Sequence, residues 1–408
     1  MDIQHNILLI GGRRAEDLVA EFGSPLYVYD AAVIRARFRE LREAITYPNV
    51  DLHYACKANT NLAILRLLHA EGAYIDAVSP GEVFLALTAG FSPEHVLFTG
   101  NNVTDEEMEY VLDRGILVNV DSLSQLDRYG RLAPDSRVSL RINPDVGSGH
   151  HDHCITGGPD SKFGIVIEDV DQARQIIAGH RLQVVGLHAH VGSGILEAEP
   201  FLQAADALLD VVRRFEGLEF VDFGGGLGVP YRPDEPRLAV RALGARVSER
   251  FHAFCHDYGR PLTLKLEPGR YVVCEAGMLL TRCNSIKATR THTFVGTDSG
   301  FNHLIRHPLY LSYHEIINAS NVEDERFVYD VCGNICESAD FFARGRLMSR
   351  VREGDVLAIL NAGAYGFCMS SNYNSRPRPA EVLVDGGTAR VIRARETLED
   401  LLRGQGEF

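Results

Sequence analysis

The chain has 408 residues, 45% of them hydrophobic, which sustains large buried cores and excludes intrinsic disorder. Its 41 basic residues face 55 acidic ones, a net charge of −14 with no block of like charge, which disfavours a nucleic-acid or anionic-membrane surface and favours small-molecule partners. Only four of the basic residues are lysines (Lys57, Lys162, Lys265, Lys287), so any chemistry that needs an amine has four candidates.

The opening MDIQHNILLIGG has a short apolar stretch with no cationic segment ahead of it and reads as mature protein rather than a signal peptide. No apolar run approaches the roughly 18 to 20 residues that span a bilayer. The eight cysteines are scattered without CxxC pairs, which fits a reducing cytoplasm. A helix at AEDLVAEF, an extended run PLYVYD and a charged helix AAVIRARFRELREAI come first. Short apolar runs then follow at DLHYACK, AYIDAVS, HVLFTG, ILVNVDS, RVSLRIN, LQVVGLHAHVGS, LEFVDFGGG and LTLKLEPG, the first seven each followed by a helix-like stretch. Eight strands alternating with helices predict a (β/α)8 TIM-type barrel over residues 31–274. From residue 275 to 408 the alternation gives way to β-type runs joined by Gly, Asp and Asn turns, which predicts a C-terminal β domain. The PLYVYD run within residues 1–30 is expected to join that β domain.

In this architecture catalytic groups sit at the carboxyl ends of the barrel strands. The first strand ends in Lys57, placed for a desolvated amine of lowered pKa, the form that makes a Schiff base; a lysine snorkelling at the barrel rim is the alternative. The sixth ends in His188-Ala189-His190-Val191-Gly192-Ser193-Gly194. Period-two spacing puts His188 and His190 on one face, where a metal would lack a third ligand and a pocket-lining imidazole is the commoner outcome. The seventh ends in Asp222-Phe223-Gly224-Gly225-Gly226, whose glycines let the backbone approach an anion closely, at the usual phosphate position of such barrels. The eighth ends in Glu267-Pro268-Gly269-Arg270. A carboxylate there suits a pyridinium nitrogen, and a rim salt bridge between Glu267 and Arg270 is the alternative. Amine, stacking imidazole, phosphate cradle and carboxylate together describe pyridoxal 5′-phosphate.

At this point the chain resembles the diaminopimelate decarboxylases, barrel enzymes of the alanine racemase-like fold. The resemblance runs through YACKANTNLAILRLLHAEGAYIDAVSPGE, ITGGPDSKFGI, GLHAHVGSG, DFGGGLGVPY, LEPGR, GFNHLIRHPLYLSYHEI, CES followed by AD, GAYGFCMSSNYNSRPRPAEVL and the RETLEDLL tail. It implies pyridoxal-phosphate-dependent decarboxylation of meso-2,6-diaminopimelate to L-lysine and CO2, and a homodimer whose active sites draw on both subunits. By the same resemblance Lys57 holds the cofactor covalently and His190 stacks on its ring. Ser193, Gly225, Gly226, the backbone of Pro268, Gly269 and Arg270, and Tyr365 bind its phosphate, Glu267 faces its pyridine nitrogen, and Asp76 lies close by. Arg270, Arg306, Tyr310, Glu337 and Tyr365 correspond to substrate-binding groups, and Cys336 to the cysteine that crosses the dimer interface to protonate the carbon left after CO2 departs. In this pattern His303, His307 and Asn334 stand where the family more commonly has acidic or proline residues.

Other readings compete at single features. On its own a cysteine in a Cys-Glu-Ser turn reads as an inert thiol. Gly149-His150-His151-Asp152-His153 offers metal-binding side chains, but in a glycine-rich loop without fixed geometry a mobile segment at the barrel mouth is favoured. Lys162 reads as a loop cation, and Lys265 as a barrel-interior lysine or the partner of Glu267, two residues along the same strand. As wholes, the alternatives are a decarboxylase of D-lysine or D-ornithine type, a racemase, for which the CES turn has no use, a non-catalytic pyridoxal-phosphate-binding protein, or a structural protein.

Overall fold

The computed structural model describes residues 2–145, 158 and 161–406; the histidine-rich stretch 149–153 lies outside them. Two compact units share these residues, one comprising Arg37–Pro230 and Pro236–Val272, the other the chain up to Ala36, Tyr231–Glu235 and the chain from Val273 onward.

The first unit is a closed barrel. Strands β1 (Val50–Ala55), β2 (Tyr74–Ala77), β3 (Val96–Phe98), β4 (Leu117–Val120), β5 (Arg137–Asn143), β6 (Gln183–His188), β7 (Phe220–Asp222) and β8 (Thr263–Leu266) pair in parallel in chain order. The β8–β1 pairing closes the cylinder. One helix follows each of the first seven strands: α1 (Leu62–Ala70), α2 (Pro80–Ala89), α3 (Asp105–Leu112), α4 (Leu123–Leu132), α5 (Val170–His180), α6 (Ala198–Val212) and α7 (Val240–Tyr258).

The chain turns sharply from strand to helix because the connecting residues include a helix cap. Asn61, Ser79 and Ser122 accept hydrogen bonds from amides of the first turns of α1, α2 and α4, and Thr104 with Glu107 closes a capping box on α3. Each cap is worth about 1 kcal/mol. More important here, each fixes where the strand end opens. Inside the barrel Phe220 lies opposite Gly186, where a Cβ would come within 2.1 Å of the ring, so glycine there makes room for the aromatic. The Lys265 ammonium sits 4.2 Å from the same ring centroid: it lies inside the barrel and is not paired with Glu267.

In the second unit, Gly277–Ala288 is the spine of a mixed sheet. It pairs antiparallel with Leu26–Asp30, Val356–Ile359 and Thr293–Thr297, and Leu26–Asp30 in turn runs parallel to Ala380–Asp385. The β-type runs read from the sequence are strands, but Phe341–Ser349 also forms one and escaped the reading. Gly345 at φ 58° and the exposed Arg344 break its apolar alternation, and its strand character comes from pairing with Arg326–Cys332. Among the described residues no helix is long and apolar enough to cross a membrane.

Candidate active site

The carboxyl ends of the barrel strands converge on one cluster of polar side chains. Lys57 lies in the single 3₁₀ turn that follows β1, and its Nζ donates to Asp76 Oδ2 at the end of β2 over 3.3 Å. The Asp76 carboxylate is buried and its other oxygen accepts the Thr99 hydroxyl. Burial and the neighbouring Glu267 push its carboxyl up, and Lys57 and Thr99 pull it back. Lys57 itself is 37% exposed at its side chain, so the amine is held by a buried carboxylate without being buried itself.

Glu267, just past β8, is buried. Its Oε2 lies 3.1 Å from His188 Nε2, and its Oε1 is buried without any hydrogen-bond partner. The partner of Glu267 is thus His188, and the alternative weighed for it, a rim salt bridge to Arg270, is not seen among the described residues. Burial alone would raise the carboxyl, but His188 at 3.1 Å and the charge of Lys57 hold it well below the usual glutamate range. Asp222, at the end of β7, goes the opposite way: burial and the negative field of Glu267 push it well above the aspartate range, although the Gly224 amide donates to its Oδ1 over 2.8 Å. The third ligand that sequence spacing did not supply for a His188 metal site thus exists, since His188, Asp222 and Glu267 bring ligand atoms within 4.8 Å of one another. Chain neighbours gave no sign of it because the three residues come from β6, β7 and the end of β8.

His190 is the next polar group. Burial and the charges of Lys57 and Arg141 push its pKa well down, so its ring is a neutral face. The Gly225 amide donates to its Nδ1 over 3.0 Å, a contact the sequence did not foresee for an amide expected at a phosphate. The glycine run leaves no space for side chains: a Cβ would meet the Glu267 carbonyl at 2.0 Å on Gly225 and the Gly192 carbonyl at 2.6 Å on Gly226, whose φ is 101°. Ser193 Oγ accepts from Arg270 Nη2 at 3.0 Å, Pro268 accepts the Ala55 amide at 3.2 Å, and Gly269 packs where a Cβ would lie 3.1 Å from Ala55 and Ala58.

Arg306, Tyr310 and Tyr365 come together in the second unit. Arg306 is only 1% exposed; its Nη2 donates to Ser312 Oγ at 3.2 Å and its Nε has no acceptor. Tyr231, Tyr310 and Tyr365 surround the guanidinium with ring centroids 5.3, 5.6 and 6.0 Å away, and among the described residues no carboxylate pairs with it. A buried guanidinium with a spare N–H suits an incoming anion. Cys336 and Glu337 are both exposed, on a turn pinned by Asp340, whose carboxylate accepts the Phe301 and Ile335 amides at 2.7 Å each. The Cys336 amide donates to Asn374 Oδ1 at 2.6 Å. His303 is a buried structural residue, Nδ1 3.0 Å from Ser299 Oγ and Nε2 3.2 Å from the Pro377 carbonyl.

Thr99, Asn119, Ser139, Arg141 and Glu82 were not singled out. Arg141 is buried, 3.5 Å from Asp121 and stacked at 4.5 Å over Phe163, while the Lys162 ammonium lies 5.0 Å from the same ring. Glu82, in the first turn of α2, is pushed up to about 7 by burial. In sequence Glu82 is a cap residue and Arg141 a strand residue; only the outward-to-inward alternation of β5 hinted that Arg141 points into the barrel.

The barrel-end groups fit pyridoxal phosphate in four independent respects: an amine on a short turn, a neutral imidazole face, a glycine cradle closed to any Cβ, and an ionised carboxylate with one unpartnered oxygen. Comparison with known proteins agrees. Residues 31–274 match the family model for the pyridoxal-binding domain of pyridoxal-dependent decarboxylases. The chain is 51% identical over 409 residues to the diaminopimelate decarboxylase of Methanothermobacter thermautotrophicus, covering 98% of this chain and 95% of that one. Among solved structures, the diaminopimelate decarboxylase from M. jannaschii in complex with L-lysine superposes with a TM-score of 0.93 at 35% identity, over 100% of this chain and 97% of the other. The Helicobacter pylori enzyme complexed with L-lysine gives 0.89 at 33% identity, over 95% and 98%.

Proposed function

The chain belongs to the diaminopimelate decarboxylase family of pyridoxal-dependent enzymes, and from that premise we propose how its own residues divide the work. The reaction is decarboxylation of meso-2,6-diaminopimelate to L-lysine and CO2. Bound pyridoxal phosphate supplies the electron sink for the pair left on Cα when the carboxylate departs.

Lys57 would hold the cofactor through its amine, with Asp76 keeping that amine oriented. Glu267 offers its unpartnered Oε1 to the pyridine nitrogen, and His190 covers the ring. Ser193, Gly226, the backbone amides of Gly269 and Arg270, and the Tyr365 hydroxyl hold the phosphate, while Pro268, which has no N–H, and Gly225, whose amide already donates to His190, shape the loops around it. The substrate's distal end is itself an amino acid. Arg306, Arg270, Tyr310 and Tyr365 take its carboxylate and Glu337 its ammonium. Once the Cα–carboxylate bond has broken and CO2 has left, the Cys336 thiol gives Cα its proton and is reprotonated from solvent. The family resemblance supports a homodimer in which Cys336 acts at the partner's site, and the reducing setting such a thiol needs supports a cytoplasmic enzyme.

The buried Arg306 guanidinium with its spare Nε–H carries the choice of substrate. A diamine precursor without a distal carboxylate leaves it unpaired, a penalty of several kcal/mol. The test is CO2 and lysine release from meso-diaminopimelate against D-lysine, D-ornithine and L-lysine, with Arg306→Met alongside. The wild type prefers meso-diaminopimelate, and R306M loses at least about 100-fold in kcat/KM on it, the equivalent of about 3 kcal/mol. Preference for a substrate lacking the distal carboxylate would overturn the assignment.

A further inference from the structure

Glu267 reaches the cofactor with only one of its oxygens, and the other is committed before any ligand arrives. Oε2 meets His188 Nε2 at 3.1 Å, and the imidazole is 1% exposed. On its far side His188 Nδ1 lies 3.3 Å from Asn119 Nδ2, and Asn119 Oδ1 accepts the Ser139 hydroxyl over 2.8 Å. The single Ser139 proton has the Gly186 carbonyl at 3.1 Å as a longer alternative; given to the nearer Asn119 Oδ1, it leaves the amide presenting its NH2 to Nδ1. Nδ1 therefore accepts, and the imidazole proton stands on Nε2, directed at Glu267. The chain Ser139–Asn119–His188–Glu267 crosses the barrel through β5, β4, β6 and the end of β8, four elements that no local sequence pattern joins.

We propose that His188 is a positioning residue: locked by Asn119 and Ser139, it donates Nε2–H to Oε2 of Glu267 and so turns Oε1 alone toward the pyridine nitrogen. This inference rests on the reading of Glu267 as the partner of that nitrogen.

The surroundings explain why such a donor is needed. Glu267 is faced by Asp76 and Asp222, by Lys57, and by His188 and His190, with Lys265 and Arg141 further along the barrel wall. Three carboxyl groups in a dry pocket resist joint ionisation, and one relieves the strain by keeping a proton. A hydrogen bond from His188 decides which one: Glu267 stays anionic and Asp222, whose Oδ2 is buried without a partner, takes the proton. A proton on Nε2 is directed into the space between Asp222 and Glu267, so the His188–Asp222–Glu267 trio as it stands orders protons.

The experiment compares His188→Leu, which removes the donor, with His188→Gln, whose amide nitrogen occupies nearly the place of Nε2, in wild-type and Glu267→Gln backgrounds. Pyridoxal phosphate dissociation constants and the visible absorption of the holoenzyme are the readouts, with Tm as the control. H188L weakens cofactor binding about 10- to 100-fold and moves the visible spectrum toward that of E267Q, while H188Q stays within about threefold of wild type. In the E267Q background H188L adds less than about twofold. An H188L protein with wild-type affinity and spectrum, or an H188L effect undiminished in the E267Q background, overturns the proposal. An E267Q protein with wild-type affinity and spectrum overturns instead the reading of Glu267 on which it rests. Should H188L not fold, ¹⁵N spectra of the histidines in the cofactor-free wild type decide: a proton on His188 Nε2 supports the assignment, and a bare Nε2 overturns it.

Discussion

Glu267 and Asp222 are two buried carboxyl groups in one pocket, yet the pKa of one is driven down and that of the other well up. Their side chains do not differ enough to explain this; their partners do. Glu267 meets an imidazole N–H, whereas Asp222 meets one backbone amide and the negative field of Glu267. The same contrast of partner and burial separates the cysteines. Cys56 is fully buried and its thiol is pushed well up by desolvation and the nearby Glu82 and Asp76, which makes it an inert core residue despite its place beside Lys57. Cys336 is exposed on a pinned turn, the condition for a thiol that must meet substrate. Cys336→Ala is accordingly expected to lower kcat by about 100-fold or more while KM for meso-diaminopimelate changes little, measured by steady-state kinetics; equal turnover would return Cys336 to an inert role.

At the scale of elements, the site is built from strand ends and the short connections that follow them. Their chemistry is local, although of the signals they carry only the glycine run was read from the sequence. Ser79 ahead of Pro80, Thr104 three residues before Glu107, and three consecutive glycines after β7 each state a backbone conformation. The glycine run is also where the fold tolerates least change. A methyl group on Gly225 meets the Glu267 carbonyl at 2.0 Å, backbone against backbone, and relief requires the end of β8 to move. Gly225→Ala is expected to lower stability by about 1 to 3 kcal/mol and, because Glu267 moves with it, to weaken pyridoxal phosphate binding as well. Thermal melts with and without cofactor check this: a stability loss with unchanged cofactor affinity would separate the cradle from Glu267. Gly186 serves packing alone, since Phe220 fills the space its side chain would take.

For the molecule as a whole, buried titratable groups set the pH range of stability. His303, buried against Ser299 and the Pro377 carbonyl, is lowered from 6.5 to about 4 by desolvation. Between those two values the unfolded chain binds a proton that the native protein does not. Stability therefore rises with pH through this window and falls as pH drops from 6.5 toward 4, by roughly 3 kcal/mol in full. Glu82, raised from 4.5 to about 7, works in the opposite sense: the native protein holds its proton longer, and that contribution is lost as pH rises from 4.5 through 7. Tm measured from pH 6.5 down to 4 should fall less steeply in His303→Gln than in the wild type, and parallel curves would assign the acid limb to other groups.

The sequence alone determined the barrel, the identity of the reactive amine and the cofactor class, because each rests on short-range signals. Strand and helix periods recur every few dozen residues, and Lys57 is the only one of four lysines at a strand's carboxyl end. Resemblance extended this to the substrate and to Arg306, Tyr310, Cys336 and Glu337, which stand in loops where no periodicity speaks. The tertiary structure decided what depends on closure. Asn119, Ser139, His188 and Asp222 stand on four strands and Glu267 just past a fifth, spread over nearly 150 residues, and only the curling of the sheet brings them together. The protonation of each carboxyl, the emptiness of the Arg306 Nε and the tautomer of His188 follow from that proximity. Electrostatic interaction in a dry interior depends on distance through space, and distance along the chain carries no record of it.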